Sequence, residues 1–473
     1  MLLRLTALLT LVAAVQAAEQ PARVRVLALR DVTVIPVSGK PPMPHATVVI
    51  RGDRIADIGP LAETTVPPEA RVVEGAGKYL VPGFVEMHAH ASKSRASSLG
   101  LFVTNGVTTI RDMGGDHEEL LKWRREIADG SRIGPRMLIA GPYLEAASNI
   151  ERMRRDPPEA RIEPFERIRI PIASPADARR VVASLAGREL DFLKVRTVQD
   201  RETYLALVEA AHAHGLKLVG HVSGIPPQVV IDAGQDGVEH AFYPSLDGMS
   251  RDERLAVWRK MAGRGVPIVP TLVTFFEATF PPTERMRALT ADAEGLVDER
   301  RGYLSRYLVL DWREQVQELT DKRRATLRKL WDEVVRRDLR EMHEAGVDVL
   351  VGSDVGVLNI FPGFSLHDEM ALFVRELGMT PAQVLERATI RSARALGLGD
   401  SIGSVERGKI ADLVLLDANP LDDIQNTRRI SAVVMRGSLF DGERMFAVLD
   451  AIAEHPDRQK DDWGRTAGQP PVK

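Results

Sequence analysis

Between residues 80 and 400 the sequence alternates between two textures, and that alternation constrains the fold more than any other feature. Short apolar runs recur at YLVPGFVEMH, VTTIRDM, RMLIAG, DFLKVR, KLVGHV, DGVEHA, VPIVPTL and VDVLVGSDV. Amphipathic stretches such as ADARRVVASLAG and YLALVEAAHAHG separate most of them. A short, nearly continuous apolar run suits a strand covered on both faces. A strand followed by a helix, repeated, returns the chain to a parallel neighbour. The eight runs therefore predict an α/β fold, a (β/α)8 TIM barrel. In that architecture chemistry sits at the C-terminal ends of the strands.

The flanks differ. VRVLALRDVTVIPVSG and ATVVIRGDRIADIG near the start alternate apolar and polar residues, and SVERGKIADLVLLDANP and ISAVVMRGSLFDG repeat the texture near the end. The expected division is a signal peptide at 1–18, one half of a small β-sandwich at 19–79, the barrel at 80–400, the other half at 401–455, and a polar, disordered tail at 456–473. Residues 280–343 are charged, amphipathic and longer than a barrel connection needs. They read as a helical insertion after the seventh strand: a lid over the site, a contact for a second copy of the chain, or a solvated helical hairpin.

Composition narrows the chemistry. The 473 residues include no cysteine, which excludes disulfides, thiolate nucleophiles and cysteine-bound zinc. The formal net charge is −3 with both signs dispersed, so no nucleic-acid partner is expected. MLLRLTALLTLVAAVQAA has one early basic residue, Arg4, then an apolar run from Leu5 to Val15 and small residues after it. It reads as an export signal cut near Ala17 or Ala18, giving a periplasmic or extracellular chain with no membrane span once mature.

Histidine placement carries the functional argument. His-Ala-His occurs twice, at 88–90 and at 212–214. Alternate residues of a strand face the same side, so His88 and His90 can converge on one ion. On a helix the same spacing makes two side chains diverge, which leaves His212 and His214 as surface residues. His221 ends the fifth run, His240 the sixth and Asp354 the eighth. Each lies where a barrel strand would reach its active face. Imidazoles with a carboxylate suit zinc, and also manganese, iron, cobalt or nickel. Lys194 ends the fourth run; read alone it is a structural ion pair, although an apolar neighbourhood lowers a lysine's pKa and a neutral amine can add CO₂.

These residues resemble the motifs of the amidohydrolase superfamily, across nearly the whole mature chain. PGFVEMHAH is similar to its first-strand motif, GVTTIRDMGG to its second, GHVSG and GVEHA to its fifth and sixth, and VGSDVG to its eighth. ATIRSARALGLGDSIGSVERGKIADLVLLDANPLDDI resembles the exit from the barrel, and the chain looks most like the prolidase and imidazolonepropionase branch. The resemblance implies two divalent metals, zinc first among them. His88, His90 and Asp354 would hold one, His221 and His240 the other, and Lys194, as a CO₂-derived carbamate, would bridge them. It further implies a bridging hydroxide as nucleophile, with Asp354 as general base and then acid.

A small molecule is the expected substrate: a dipeptide or N-acyl amino acid cleaved at its C–N bond. Arg196, two residues beyond Lys194, is a candidate for its carboxylate. Tyr143, Tyr243 and His367 are further candidate substrate contacts. The alternatives are a mononuclear deaminase or cyclic-amide hydrolase, and a non-catalytic metal-binding barrel.

Overall fold

A computed structural model of the chain describes residues 26–155, 165–222, 224–240, 246–292 and 295–455. The expected signal segment, the tail from 456 and Tyr243 lie outside the described residues. The chain begins with β1 (Val26–Val34), β2 (Met43–Arg51), β3 (Arg54–Pro60), β4 (Arg71–Glu74) and β5 (Tyr79–Pro82). Next come β6 (Phe84–Ala89), β7 (Val107–Asp112), β8 (Arg136–Ile139), β9 (Tyr143–Ala146), β10 (Arg169–Ile172), β11 (Leu193–Val195), β12 (Leu218–Gly220), β13 (Gly237–Glu239) and β14 (Ile268–Val269). It returns through β15 (Leu413–Leu416), β16 (Ile430–Met435) and β17 (Ser438–Phe440).

The central strands form two parallel sheets, β6-β7-β8 and β10-β9-β11-β12-β13-β14. Helices lie between most strands, as the alternation predicts. The closed eight-stranded ladder does not appear. VDVLVGSDV, expected as the eighth strand, makes only isolated bridges: Val349 to Ile268 of β14, and Val355 to Ala89 of β6. Yet its backbone is tied on both sides, by Leu350 N donating to Ile268 O at 2.8 Å and Asp354 N to His88 O at 2.8 Å. The left-handed backbone at Asp354 (φ 57°) interrupts the regular ladder. On the other side, β9 and β10 are an additional pair, and β8 meets the β11 side through Asp191 N to Ile139 O.

The two ends of the chain do combine, in one eight-stranded sheet of order β17-β16-β15-β5-β1-β2-β3 with β4 also on β1, rather than in the two facing sheets of the expected sandwich. β5, which leads directly into β6, lies antiparallel to β15 with Tyr79 opposite Leu416. Alternation along β1 and β15 sends Leu27, Leu29, Leu413 and Leu415 into a core of this sheet's own.

The 280–343 segment is helical as expected, with helices Thr283–Ala291, Arg306–Glu318, Asp321–Leu330 and Arg336–Glu344. Ser305 and Thr320 cap two of them, accepting from Leu308 N and Arg323 N. Leu308, Trp312 and Val316, four residues apart, form one apolar stripe. That stripe packs on Leu358 and Phe361, just past Asp354. Among the described residues no helix is long and apolar enough to cross a membrane.

Candidate metal centre

Strand geometry places the first two histidines. His88 lies in β6 and His90 one residue beyond its end, with ring centroids 5.4 Å apart. Both Nε2 atoms point at Asp354, each 3.3 Å from Oδ1. Asp354 reaches that position because the preceding backbone runs close to β6: a Cβ on Gly352 would stand 2.9 Å from His88 N. His221 follows β12 behind Gly220, whose φ of +140° and contact with Val195 O, 2.0 Å from any added Cβ, admit only glycine. His240 follows β13 in a left-handed conformation (φ 66°). Its ring centroid is 4.9 Å from both His88 and His221, and its Nε2 is 4.0 Å from Asp354 Oδ2.

The structure thus gathers His88, His90, His221, His240 and Asp354, with the Lys194 amine buried close enough to feel the charge of Asp354. Ligand atoms of His88, His90 and Asp354 all lie within 4.8 Å of one another. Lys194 is 1% exposed, and its Nζ makes no hydrogen bond to another described residue. Such an amine is costly to bury unpaired.

The outer nitrogens of His88, His90 and His240 are engaged, which aims Nε2 inward. His88 Nδ1 pairs with Glu239 Oε2 at 2.8 Å, His90 Nδ1 with Gly114 O at 3.0 Å, and His240 Nδ1 with Thr271 Oγ1 at 2.7 Å. Arg111 in turn donates to Glu239 Oε1 at 2.6 Å and to Met87 O at 2.7 Å. Below them the buried Glu86 accepts from His88 N, Ser353 N and the Ser353 hydroxyl, stapling β6 to the Asp354 segment.

Burial brings the His88 ring down to about 3, lowers His240 and takes His221 well below its ordinary range, so the rings are neutral, as ligands must be. Burial alone would raise Glu239, but Arg111 above all, with His88 and Lys194, brings it to about 2. Burial would also raise Asp354; His88, His90 and His240 hold it well below the usual carboxylate range. Burial pulls the Lys194 amine down to about 8, against Glu239 and Asp354, and pushes Glu86 up to about 7. Neutral imidazoles beside an ionised carboxylate are a donor set that fits a divalent transition metal.

The expected substrate contacts fare differently. Arg196 sits at the rim just past β11, its side chain 37% exposed, with its guanidinium 5.6 Å from the Tyr143 ring centre. Tyr143 begins β9, and its hydroxyl stands behind His90, 3.0 Å from Nδ1, while donating to Gly114 O. It is placed to orient His90. His367 is not at the pocket: it is buried on the Phe364–Leu377 helix, with Nδ1 at Thr427 Oγ1 and Nε2 at Asn105 O. His212 and His214 are exposed, as predicted.

Glu239, Arg111, Thr271 and Glu86 were missed by the sequence reading. A signal existed for Glu86, two residues before His88 on the same strand and so on the same side. Glu239 breaks alternation, because the left-handed turn at His240 brings two consecutive residues inward.

Comparison with known proteins agrees with this geometry. The model of the amidohydrolase family matches residues 79–440. An adenine deaminase from Rubrobacter xylanophilus is 33% identical over 129 residues, 26% of this chain but only 20% of that relative's length. An imidazolonepropionase from Symbiobacterium thermophilum is 22% identical over 427 residues, 79% of this chain and 84% of the relative. Among solved structures, a candidate prolidase from Bifidobacterium longum superposes with a TM-score of 0.69 at 25% identity, covering 91% of this chain and 99% of that one. A match this long, with the histidines and aspartate gathered where the motifs predict them, means that the chain belongs to the amidohydrolase family.

Proposed function

We propose that the protein is an exported, binuclear metal-dependent hydrolase that cleaves the C–N bond of a dipeptide or N-acyl amino acid. The observation that carries this reading is the convergence of His88, His90 and Asp354 with each histidine's outer nitrogen already engaged. His88, His90 and Asp354 would hold one ion, and His221 and His240 the second. Lys194, buried without a hydrogen-bond partner among the described residues, would bridge as a carbamate. Two such ions, zinc by donor type, would bring the pKa of a water to about 7 and polarise the scissile carbonyl. Asp354 takes, at Oδ2, the proton released as water adds to the carbonyl carbon. It returns that proton to the amide nitrogen as the C–N bond breaks, leaving a carboxylic acid and an amine. Arg196 at the rim pairs with the substrate carboxylate. All of these residues lie within 80–400, the portion expected as the barrel, which the flanking strand-rich segments would support. Export rests on the N-terminal sequence, and a mature chain beginning near Glu19 is its test by mass.

The reaction is tested with Asp354→Asn against a panel of dipeptides and N-acyl amino acids, with metal analysis of the same samples. The variant keeps metal and loses most turnover; near-normal rates would sink the assignment. Lys194→Ala loses metal, with partial rescue by short carboxylic acids.

A second reading, a mononuclear deaminase or cyclic-amide hydrolase, draws support from one observation. Among the described residues, only His88, His90 and Asp354 converge tightly as three ligands. One equivalent of metal per chain, unchanged by bicarbonate, favours it.

A further inference from the structure

A pocket of about 310 Å³ opens directly off the histidine cluster, with His240, Thr271 and Asp354 at its inner end. Phe275 and Ala278 of the Leu272–Thr279 helix line it together with Val357 and Leu358. Leu319 and Leu327, from the inserted segment, also line it. The insertion is anchored over the site at two points. Lys93 Nζ, three residues past His90, lies 2.7 Å from Asp311 Oδ2, and Gln315 Oε1 accepts from Leu358 N at 2.9 Å.

The lining fixes the chemistry of what can enter. Apart from His240 and Asp354, the charged residues among its described lining are Glu318 and Arg323, which pair with each other at 3.2 Å and are more than half exposed. They stand at the mouth and neutralise one another, so among the described residues the interior between Phe275, Ala278 and Leu327 has no charge to offer a ligand. Size sets a second limit. An apolar cavity of about 150 Å³ holds benzene, and small-molecule sites begin at about 300 Å³. There is room for one ring or branched chain beside the scissile bond, and none for an extended peptide.

We propose that this pocket, roofed by the inserted helices, selects amides that carry one uncharged, bulky apolar group, phenyl or branched aliphatic, next to the bond cleaved. The word amide rests on the function proposed above; the apolar selection rests on the pocket alone. Burying a phenyl group at about 25 cal/mol per Å² corresponds to a preference of roughly 30-fold over a methyl group.

The test is calorimetric titration of the metal-loaded full chain with acetohydroxamate and 3-phenylpropanohydroxamate, which differ only in the tail. The phenyl compound should bind roughly 30-fold tighter. Ala278→Phe, which fills the pocket, should cut that ratio to below about threefold, and Leu327→Ala, on the inserted segment, should lower it by about fivefold. Equal affinity for the two compounds, binding of neither, or a ratio that neither substitution changes overturns the proposal. Failure to hydrolyse any dipeptide or N-acyl amino acid while the binding ratio holds would overturn the reaction and leave the pocket standing. Hydrolysis with no tail preference overturns the pocket alone.

Discussion

The molecule contains the tripeptide His-Ala-His twice, and the two copies have opposite fates. At 88–90 it ends a parallel strand; His88 is 1% exposed, and both rings aim Nε2 at one carboxylate oxygen. At 212–214 it ends the Arg201–Ala213 helix in solvent, where His212 pairs with Asp236 at 2.9 Å. The difference is the backbone period. A strand returns to the same side every second residue; a helix turns such a pair about 200° apart. At His88, His90 and His240 the backbone aims the ring and a second partner holds its other nitrogen. Identity and burial alone are not enough.

The largest expected effect sets one copy against the other. His88→Ala should lower metal content and reduce hydrolysis by more than about 100-fold, given that loss of an outer partner alone costs about 10–100-fold. Metal analysis beside turnover measures it, and a variant with full metal content would break the contrast. Glu239→Gln leaves every candidate ligand in place but removes the charge that fixes the His88 tautomer. Metal affinity should fall by about 10–100-fold, read by competition with a chelator.

His367 sharpens the comparison from another side, because it is buried with both ring nitrogens engaged by the protein itself. Burial keeps it at about 3, against an ordinary 6.5. The unfolded chain accepts a proton that the folded chain refuses. Its contribution to stability is therefore complete above pH 6.5 and is lost as the pH falls from 6.5 toward 3. From pH 6.5 to 5 the loss is about 2 kcal/mol. Urea denaturation of wild type and His367→Gln at both pH values isolates it; parallel pH slopes would refute the assignment. The smallest effect belongs to His212→Ala, which should cost no more than about 1 kcal/mol and leave metal content unchanged.

Much of the site was legible because its residues sit at the ends of apolar runs. His88, His90, Lys194, His221, His240 and Asp354 could each be placed by counting along strands. What escaped depends on departures from strand geometry. Left-handed backbone at His240, Thr271 and Asp354 turns side chains inward that alternation sends outward, so Glu239 and Thr271 were missed. The same departure removes the regular ladder expected of the eighth strand. His367 was misread because a histidine near a strand end is as well satisfied by the protein interior as by a substrate. The helices of 280–343 were legible from period and caps, but their seat above the pocket depends on Lys93 and Leu358, far away in sequence.

The pairing of β5 with β15 has a consequence for biosynthesis. Tyr79 cannot meet Leu416 until nearly the whole chain has left the ribosome, which at about 5–20 residues per second is on the order of tens of seconds after β5 itself emerges. Through that interval one edge of β5 is an unsatisfied row of backbone donors and acceptors, open to pairing with another nascent chain. The last-made strands thus act as the closing clasp of the first-made ones. A chain truncated before residue 413 would keep every candidate ligand and still leave that edge exposed, making aggregation, before any defect in catalysis, its first failure.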